Sequence, residues 1–362
     1  MRARGVLVTG AGGYIGARTA LRILEESDRN VVLWLHASDI EVARAKAVAL
    51  APAFAAYESR ISFAHGELDG PEPFSGVDVK AIEGIVHSAA VTRFNVDADT
   101  ADRVNLRGAE KVFTFAEHCP SLDRITYVGT LYASGLRAGS ILEEFVPEEA
   151  FANHYERSKH QAERALTTRF AHLPWSIARV ATVIADDEGG APTQQNAVHN
   201  TLKLFFYGLV SLVPGKPETP LYFVTRDFVA DCLAALALRA APRGVYHVCH
   251  EREDSVTLDD LISIAFEAFE ESSSFRTRRV LKPLYVDIES FDDLIGGTDA
   301  FMGDVVRQAL KSVAPFARQL FVTKAFRNAR LRAAHPAYRA PDARALVRAT
   351  CAHLVKTRWG KA

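Results

Sequence analysis

Cysteine is scarce in this sequence. Its four cysteines, Cys119, Cys232, Cys249 and Cys351, are scattered, with neither close pairing nor the histidine partners of a zinc site. That spacing argues against a disulfide framework or a metal centre and predicts buried thiols in a reducing, cytoplasmic compartment. Long apolar runs are missing as well. The longest, Leu202 to Val213, is interrupted by Lys203 and Gly208 and falls short of the roughly 20 residues a membrane-spanning helix needs. The opening Met1-Arg-Ala-Arg passes straight into Val6-Leu-Val-Thr-Gly10, an apolar run too short for the core of an export signal. Internal repeats and low-complexity tracts are also lacking. What is present is 362 residues that are 48% hydrophobic and 24% charged, enough to bury one large core or two unequal ones.

Residues 6 to 160 alternate between strand and helix patterns. Val6–Thr9, Val31–Leu35, Arg60–Ala64, Gly84–His87 and Arg124–Val128 read as strands. Between and after them, Ile15–Glu26, Glu41–Tyr57, Ala101–His118 and Tyr155–Arg169 read as helices. Such alternation predicts an α/β fold of the Rossmann type, a doubly wound parallel sheet whose ligand crevice lies at the carboxyl ends of the strands. The expected division is a dinucleotide-binding domain over 1–180, to which 221–250 returns, and a smaller, mainly helical substrate region over 181–362. Gly/Pro-rich connections such as Asp186–Pro192 and Pro214–Pro220 punctuate that second part.

Chemistry should sit just after the strands. The first is followed by Gly10-Ala-Gly-Gly13-Tyr14-Ile15-Gly16, leading into a helix. Glycines at 10, 13 and 16 permit a tight turn and let backbone amides approach a pyrophosphate at the helix N-terminus. Position 15 is Ile, so the loop is of the GxxGxxG kind. The second strand ends at His36, where an acid would select NAD(H) and a cation NADP(H). His36 is neither, yet it can donate to, or be protonated beside, an extra phosphate, which favours NADP(H). A solvent-facing histidine at a strand end is the other reading.

Tyr155 and Lys159 are four apart, hence one turn apart on one helix face. A nearby ammonium lowers a phenol toward working pH and makes it a proton donor and acceptor for a carbonyl/alcohol pair. The lysine can also hold the nicotinamide ribose. Thr130, just past the strand Ile125–Val128, is the expected second donor to a substrate oxygen, with Ser134 as fallback.

Together, the glycine loop, His87-Ser-Ala-Ala90, Asn105-Leu-Arg-Gly108, the Thr130 segment and Tyr155/Lys159 resemble the extended short-chain dehydrogenases/reductases. Within that superfamily, His87-Ser-Ala-Ala-Val-Thr-Arg-Phe94, Arg179-Val-Ala-Thr-Val183 and Val224-Thr-Arg-Asp-Phe-Val-Ala-Asp231 resemble the thioester reductase and fatty acyl-CoA reductase branch. The resemblance spans about residues 5 to 250. It implies Gly10, Gly13, Tyr14, Ile15 and Gly16 around the pyrophosphate, and Glu67 and Leu68 near the adenine. Ala89 and Ala90 would line the cofactor cleft with Asn105 at its base, and Thr130, Tyr155 and Lys159 would be catalytic. Two positions depart from the branch: His36 stands where Arg is common, and Gly129-Thr130 where a Ser-Thr pair is.

The implied activity is NADPH-dependent reduction of an acyl thioester, or a related lipid-like carbonyl, to an aldehyde or alcohol. A ketone, hydroxysteroid-like or sugar-nucleotide substrate is the alternative within the enzyme class, and a non-catalytic dinucleotide sensor the alternative outside it. From Phe301 onward only Asp304 and Asp342 oppose a run of Arg and Lys. Apolar residues from Val305 to Phe326 recur there at near-helical spacing. This basic helical tail could meet an acidic carrier protein, a membrane surface or a CoA phosphate, or simply pack on the core. No nucleic-acid motif accompanies the charge.

Overall fold

The computed structural model describes residues 5–147, 149–239, 241–293 and 314–359. Its centre is a sheet of seven strands: β1 (Gly5–Thr9), β2 (Asn30–His36), β3 (Ile61–Gly66), β4 (Ile82–His87), β5 (Arg124–Thr130), β6 (Trp175–Val180) and β7 (Gly244–Val248). The order across the sheet is β7-β6-β5-β4-β1-β2-β3, and every pairing is parallel. Strands β1 and β7 are buried at all five positions, as expected of parallel strands covered on both faces. The chain reverses direction across the sheet between β1 and β4, which opens a crevice at their carboxyl ends.

Helix α1 (Tyr14–Glu26) buries Ala17, Ala20, Leu21 and Leu24, one stripe at helical spacing. Helix α2 (Ile40–Leu50) is capped by Asp39, whose carboxylate accepts from Val42 N–H. A longer helix, α3, is assembled from Ala98–Ala101, a π-helical stretch at Asp102–Arg107, and Gly108–Glu117. Helix α4 (His154–Thr168) begins at Asn153, whose side chain accepts from Glu156 N–H at 2.9 Å. Helix α5 (Ala197–Tyr207) belongs to the second half of the chain. Helix α6 (Arg226–Leu238) packs back on α1, joined to it by Arg18–Asp227 at 3.0 Å and Arg22–Asp231 at 2.5 Å.

The second core is gathered by α5, α7 (Leu258–Phe269) and α8 (Ala343–Lys356). Phe206, Phe269, Phe275 and Trp359 pack there, mostly edge to face, with ring centroids 5.3 to 6.1 Å apart. No helix among the described residues is long and apolar enough to cross a membrane. All four cysteines are buried thiols.

The expected basic helix from Phe301 needs correcting where it can be followed. Residues 301–313 lie outside the described residues. Beyond them residues 314–317 are helical as expected, and the chain then forms a 3-10 turn at Arg318–Phe321, a strand at Lys324–Phe326 and a short helix at Ala329–Ala334. The strand pairs in parallel with Gly139–Ile141. Ladder hydrogen bonds to a distant segment override the helical spacing there, and Lys324 is buried rather than set on a solvated face.

Candidate active site

The glycine loop is tight for a physical reason at two positions. Gly10 has φ of 72°, in the left-handed region, and a Cβ there would stand 2.6 Å from Ala89 N. A Cβ on Gly16 would stand 2.2 Å from the Gly10 carbonyl oxygen. Helix α1 starts at Gly13 with no side-chain cap, so its first-turn N–H groups are left for an anion. A dinucleotide pyrophosphate fits this cradle in both shape and donor chemistry. Tyr14, the first residue of α1, donates to Asp186 at 2.5 Å, its ring beneath the Arg226 guanidinium.

One cavity of about 980 Å³ starts at this loop. Gly10, Gly13, Tyr14, Ile15, Gly16, His36, Glu67, Leu68, Ala89, Ala90, Thr130, Tyr155 and Lys159 all line it. Asn105 stands behind the wall. It lies in the π-helical stretch of α3, accepts from Val91 N–H at 2.8 Å, and donates to Val91 O and Ser158 Oγ, each at 3.0 Å. It therefore braces the strip after β4 against α4. Ser134 points elsewhere, its hydroxyl donating to Leu131 O at 2.7 Å.

At the far end of β2, His36 and Glu67 are both exposed, with Nε2 and Oε1 3.8 Å apart. Lys46 escapes a reading by motif. It reaches back from α2 to donate to the His36 carbonyl at 2.9 Å and lines the same cavity. Only its place about two helical turns past the Asp39 cap hints at this.

Tyr155 and Thr130 line the same stretch of the cavity. The phenol is buried near the Thr130 hydroxyl and against Phe94, ring centroids 5.7 Å apart. Burial raises the phenol above its ordinary range, and the nearby Thr130 hydroxyl opposes this only in part. The phenol lowered by Lys159 that the spacing suggests is thus not what the structure holds. Lys159 Nζ instead donates to Val128 O at 2.7 Å and stands 4.3 Å from the Tyr127 ring centroid. Burial pushes this ammonium down to about 7, with Glu163 opposing.

That shift has a measurable sign. Between about 7 and the ordinary lysine range the folded, ligand-free protein binds fewer protons than the unfolded chain. Lys159 therefore makes stability rise with pH through that window, by at most about 1.4 kcal/mol per pH unit. Lys159→Met is expected to flatten this rise in denaturant unfolding series from pH 7 to 10.

Beneath Lys159 lies a buried ion pair. Arg179 donates from Nε and Nη2 to Glu163, at 3.0 and 2.6 Å, and both side chains are fully buried. This pair explains Gly129, the departure noted above: a Cβ there would stand 2.8 Å from Glu163 Oε1 and 3.6 Å from Arg179 Cγ. Gly129→Ser is expected to destabilise the fold by about 1–3 kcal/mol through overpacking, read as a lower unfolding midpoint.

Comparison with known proteins gives the same picture. Residues 8–233 match the male sterility protein family of NAD-binding domains. Fatty acyl-CoA reductase 2, chloroplastic, of Arabidopsis thaliana is 38% identical over 65 residues, covering 18% of this chain and 11% of that protein. A probable UDP-arabinose 4-epimerase 1 of Oryza sativa subsp. japonica is 25% identical over 270 residues, covering 67% of this chain and 62% of the other. The chain thus spans less than two thirds of the length of either curated relative. The crystal structure of the terminal R domain from the myxalamid PKS-NRPS biosynthetic pathway superposes with a TM-score of 0.77 at 19% identity, over 99% of this chain and 92% of that one. At that identity the likeness is one of fold.

Proposed function

The chain belongs to the male sterility protein family, NAD(P)-dependent oxidoreductases of the extended short-chain dehydrogenase/reductase superfamily, and on that premise we propose that it reduces an acyl thioester, or a closely related lipid-like carbonyl, with NADPH. The observation that carries this reading is the continuity of the cavity. It runs from the glycine loop past Thr130 and Tyr155 into the second core, where Leu202, Phe205, Val213, Phe223, Leu261 and Phe291 line it. Besides His36, the ionisable residues on its described wall are Lys46, Glu67 and Asp69, toward the ends of β2 and β3, and Lys159 and Tyr155. The inner half offers an aliphatic chain apolar surface to bury. It offers no described charge for the diphosphate of a sugar nucleotide, which argues against an epimerase-like substrate.

A nicotinamide cofactor supplies the hydride when bound. Gly10, Gly13 and Gly16 would hold its pyrophosphate, and Lys159 its ribose. Thr130 and Tyr155 would bind the carbonyl oxygen, and Tyr155 would give it a proton. A phenol held above its ordinary range is protonated at neutral pH, which suits a donor in the reductive direction. Retention of both Tyr155 and Lys159 speaks against a sensor, which has no chemical need for them.

For NADPH over NADH, the support is Lys46 beside His36, together with the commitment of Asp39 to capping α2. Lys46→Ala is expected to weaken NADPH binding about tenfold, the worth of one charge-assisted hydrogen bond, and NADH binding little. Fluorescence titration of the apo protein checks this. Equal losses for both would remove the NADPH preference. The substrate reading is tested by NADPH consumption with acyl-CoA esters of graded length, acyl-carrier thioesters, ketones and sugar nucleotides. Turnover should depend on a thioester and improve with aliphatic length, and no consumption with any thioester would remove the assignment.

A further inference from the structure

Outside the cavity wall, a polar link joins the last third of the chain to the start of the catalytic helix. Glu156, next to Tyr155, accepts from Ala152 N–H at 3.0 Å and Asn153 Nδ2 at 3.1 Å, so its carboxylate is part of the α4 cap. Gln319 Nε2 donates to the same carboxylate at 2.8 Å, and Gln319 Oε1 accepts from Lys324 Nζ at 2.8 Å. Lys324 Nζ also donates to Ser134 Oγ at 3.2 Å and to the Gly135 carbonyl. Ser134 in turn holds Leu131 O, at the turn that follows Thr130.

We infer that Lys324 and Gln319 are positioning residues for Tyr155, tying the helix start that carries the phenol to the turn that carries Thr130. The link is sealed from water: Glu156, Ser134, Lys324 and Gln319 are 0%, 1%, 5% and 6% exposed. Burying an ammionium-carboxylate set of this kind is costly, and apolar side chains of similar volume would serve stability as well. What the polar set adds is direction, because each hydrogen bond fixes an angle as well as a distance. Its two ends grip the two elements that carry Thr130 and Tyr155 to the cavity wall.

The segment that carries Gln319 and Lys324 is anchored independently of their side chains. Thr219 Oγ1 donates to Leu320 O at 2.6 Å, Tyr222 Oη donates to Lys324 O at 2.9 Å, and residues 324–326 pair with 139–141. Loss of either side chain should therefore leave the segment docked and release only the tie. The same segment places Phe316 against Phe94, centroids 5.8 Å apart, and Phe94 against Tyr155. Polar and apolar faces of one segment thus converge on one phenol.

This role rests on the reading of Tyr155 as proton donor, so the test has one arm that needs no substrate. Full-length Lys324→Met and Gln319→Leu are compared with the wild type by hydrogen exchange and by steady-state kinetics. Amide exchange over 131–136 and 152–158 should rise at least about tenfold in both variants. In turnover, kcat should fall about tenfold or more while KM for NADPH stays unchanged, a split that general loss of structure would not give. If Lys324→Met does not fold, Gln319→Leu decides alone. Unchanged exchange in both segments, or kcat within about twofold of wild type in a folded variant, overturns the positioning role. A wild-type chain that turns over no thioester overturns the substrate reading and leaves the exchange arm standing.

Discussion

Tyr155→Phe is expected to lower turnover by about 10²–10⁴-fold while leaving NADPH affinity and the unfolding midpoint close to wild type. The change removes one hydroxyl, from a residue that lines the cavity alongside Thr130. The ring that packs on Phe94 remains, so the apolar neighbourhood of the site survives. A proton donor at a developing alkoxide acts mainly in the transition state, and its loss should appear in kcat and kcat/KM alike. Single-turnover mixing with NADPH and a thioester reads the chemical step directly. A protein that only senses the cofactor would be indifferent to the change, so an unaltered response would favour the non-catalytic alternative.

The second large effect concerns stability. Arg179→Met should cost about 3–5 kcal/mol, because it leaves Glu163 fully buried without its partner. The double variant Arg179→Met with Glu163→Leu should recover most of that loss, since it removes both charges and leaves apolar groups of similar bulk. Denaturant unfolding of the two single variants and the double variant supplies the cycle. Glu163 is also the group that supports the charge on Lys159. The double variant should therefore regain stability without regaining turnover. Recovery of both would mean that the pair serves packing alone.

Much of this site is local in sequence, which is why it can be read there. The glycines at 10, 13 and 16 fall inside one turn, and Tyr155 and Lys159 inside one helical turn after an Asn153 cap. Thr130 ends a strand, so its hydroxyl is placed by the same backbone geometry that ends the ladder. Each of these needs only a few neighbouring residues to be right.

What the sequence hides is set by contacts between distant segments. Lys324 lies 190 residues from Ser134 and looks, by spacing, like one cation on a helix face. A strand pairing with Gly139–Ile141 turns it inward instead. Lys46 is hidden for a milder reason, since its role depends on how α2 lies back over the end of β2. The electrostatics of Tyr155 were illegible for a third reason. Spacing gives the distance to a lysine along a helix but not the burial of the phenol, and burial is the larger effect here. Gly129 shows the reverse case, a departure from the branch pattern whose cause is a buried ion pair far along the chain.

The central claim is that Thr130, Tyr155 and Lys159 gather around one nicotinamide. A crystal structure of the NADP(H) complex measures this directly. The Tyr155 hydroxyl is expected within contact range of the C4 edge of the ring, with Thr130 beside it and Lys159 on the ribose. A ring bound elsewhere in the cavity, or a phenol turned away from it, would contradict that arrangement and the chemistry built on it.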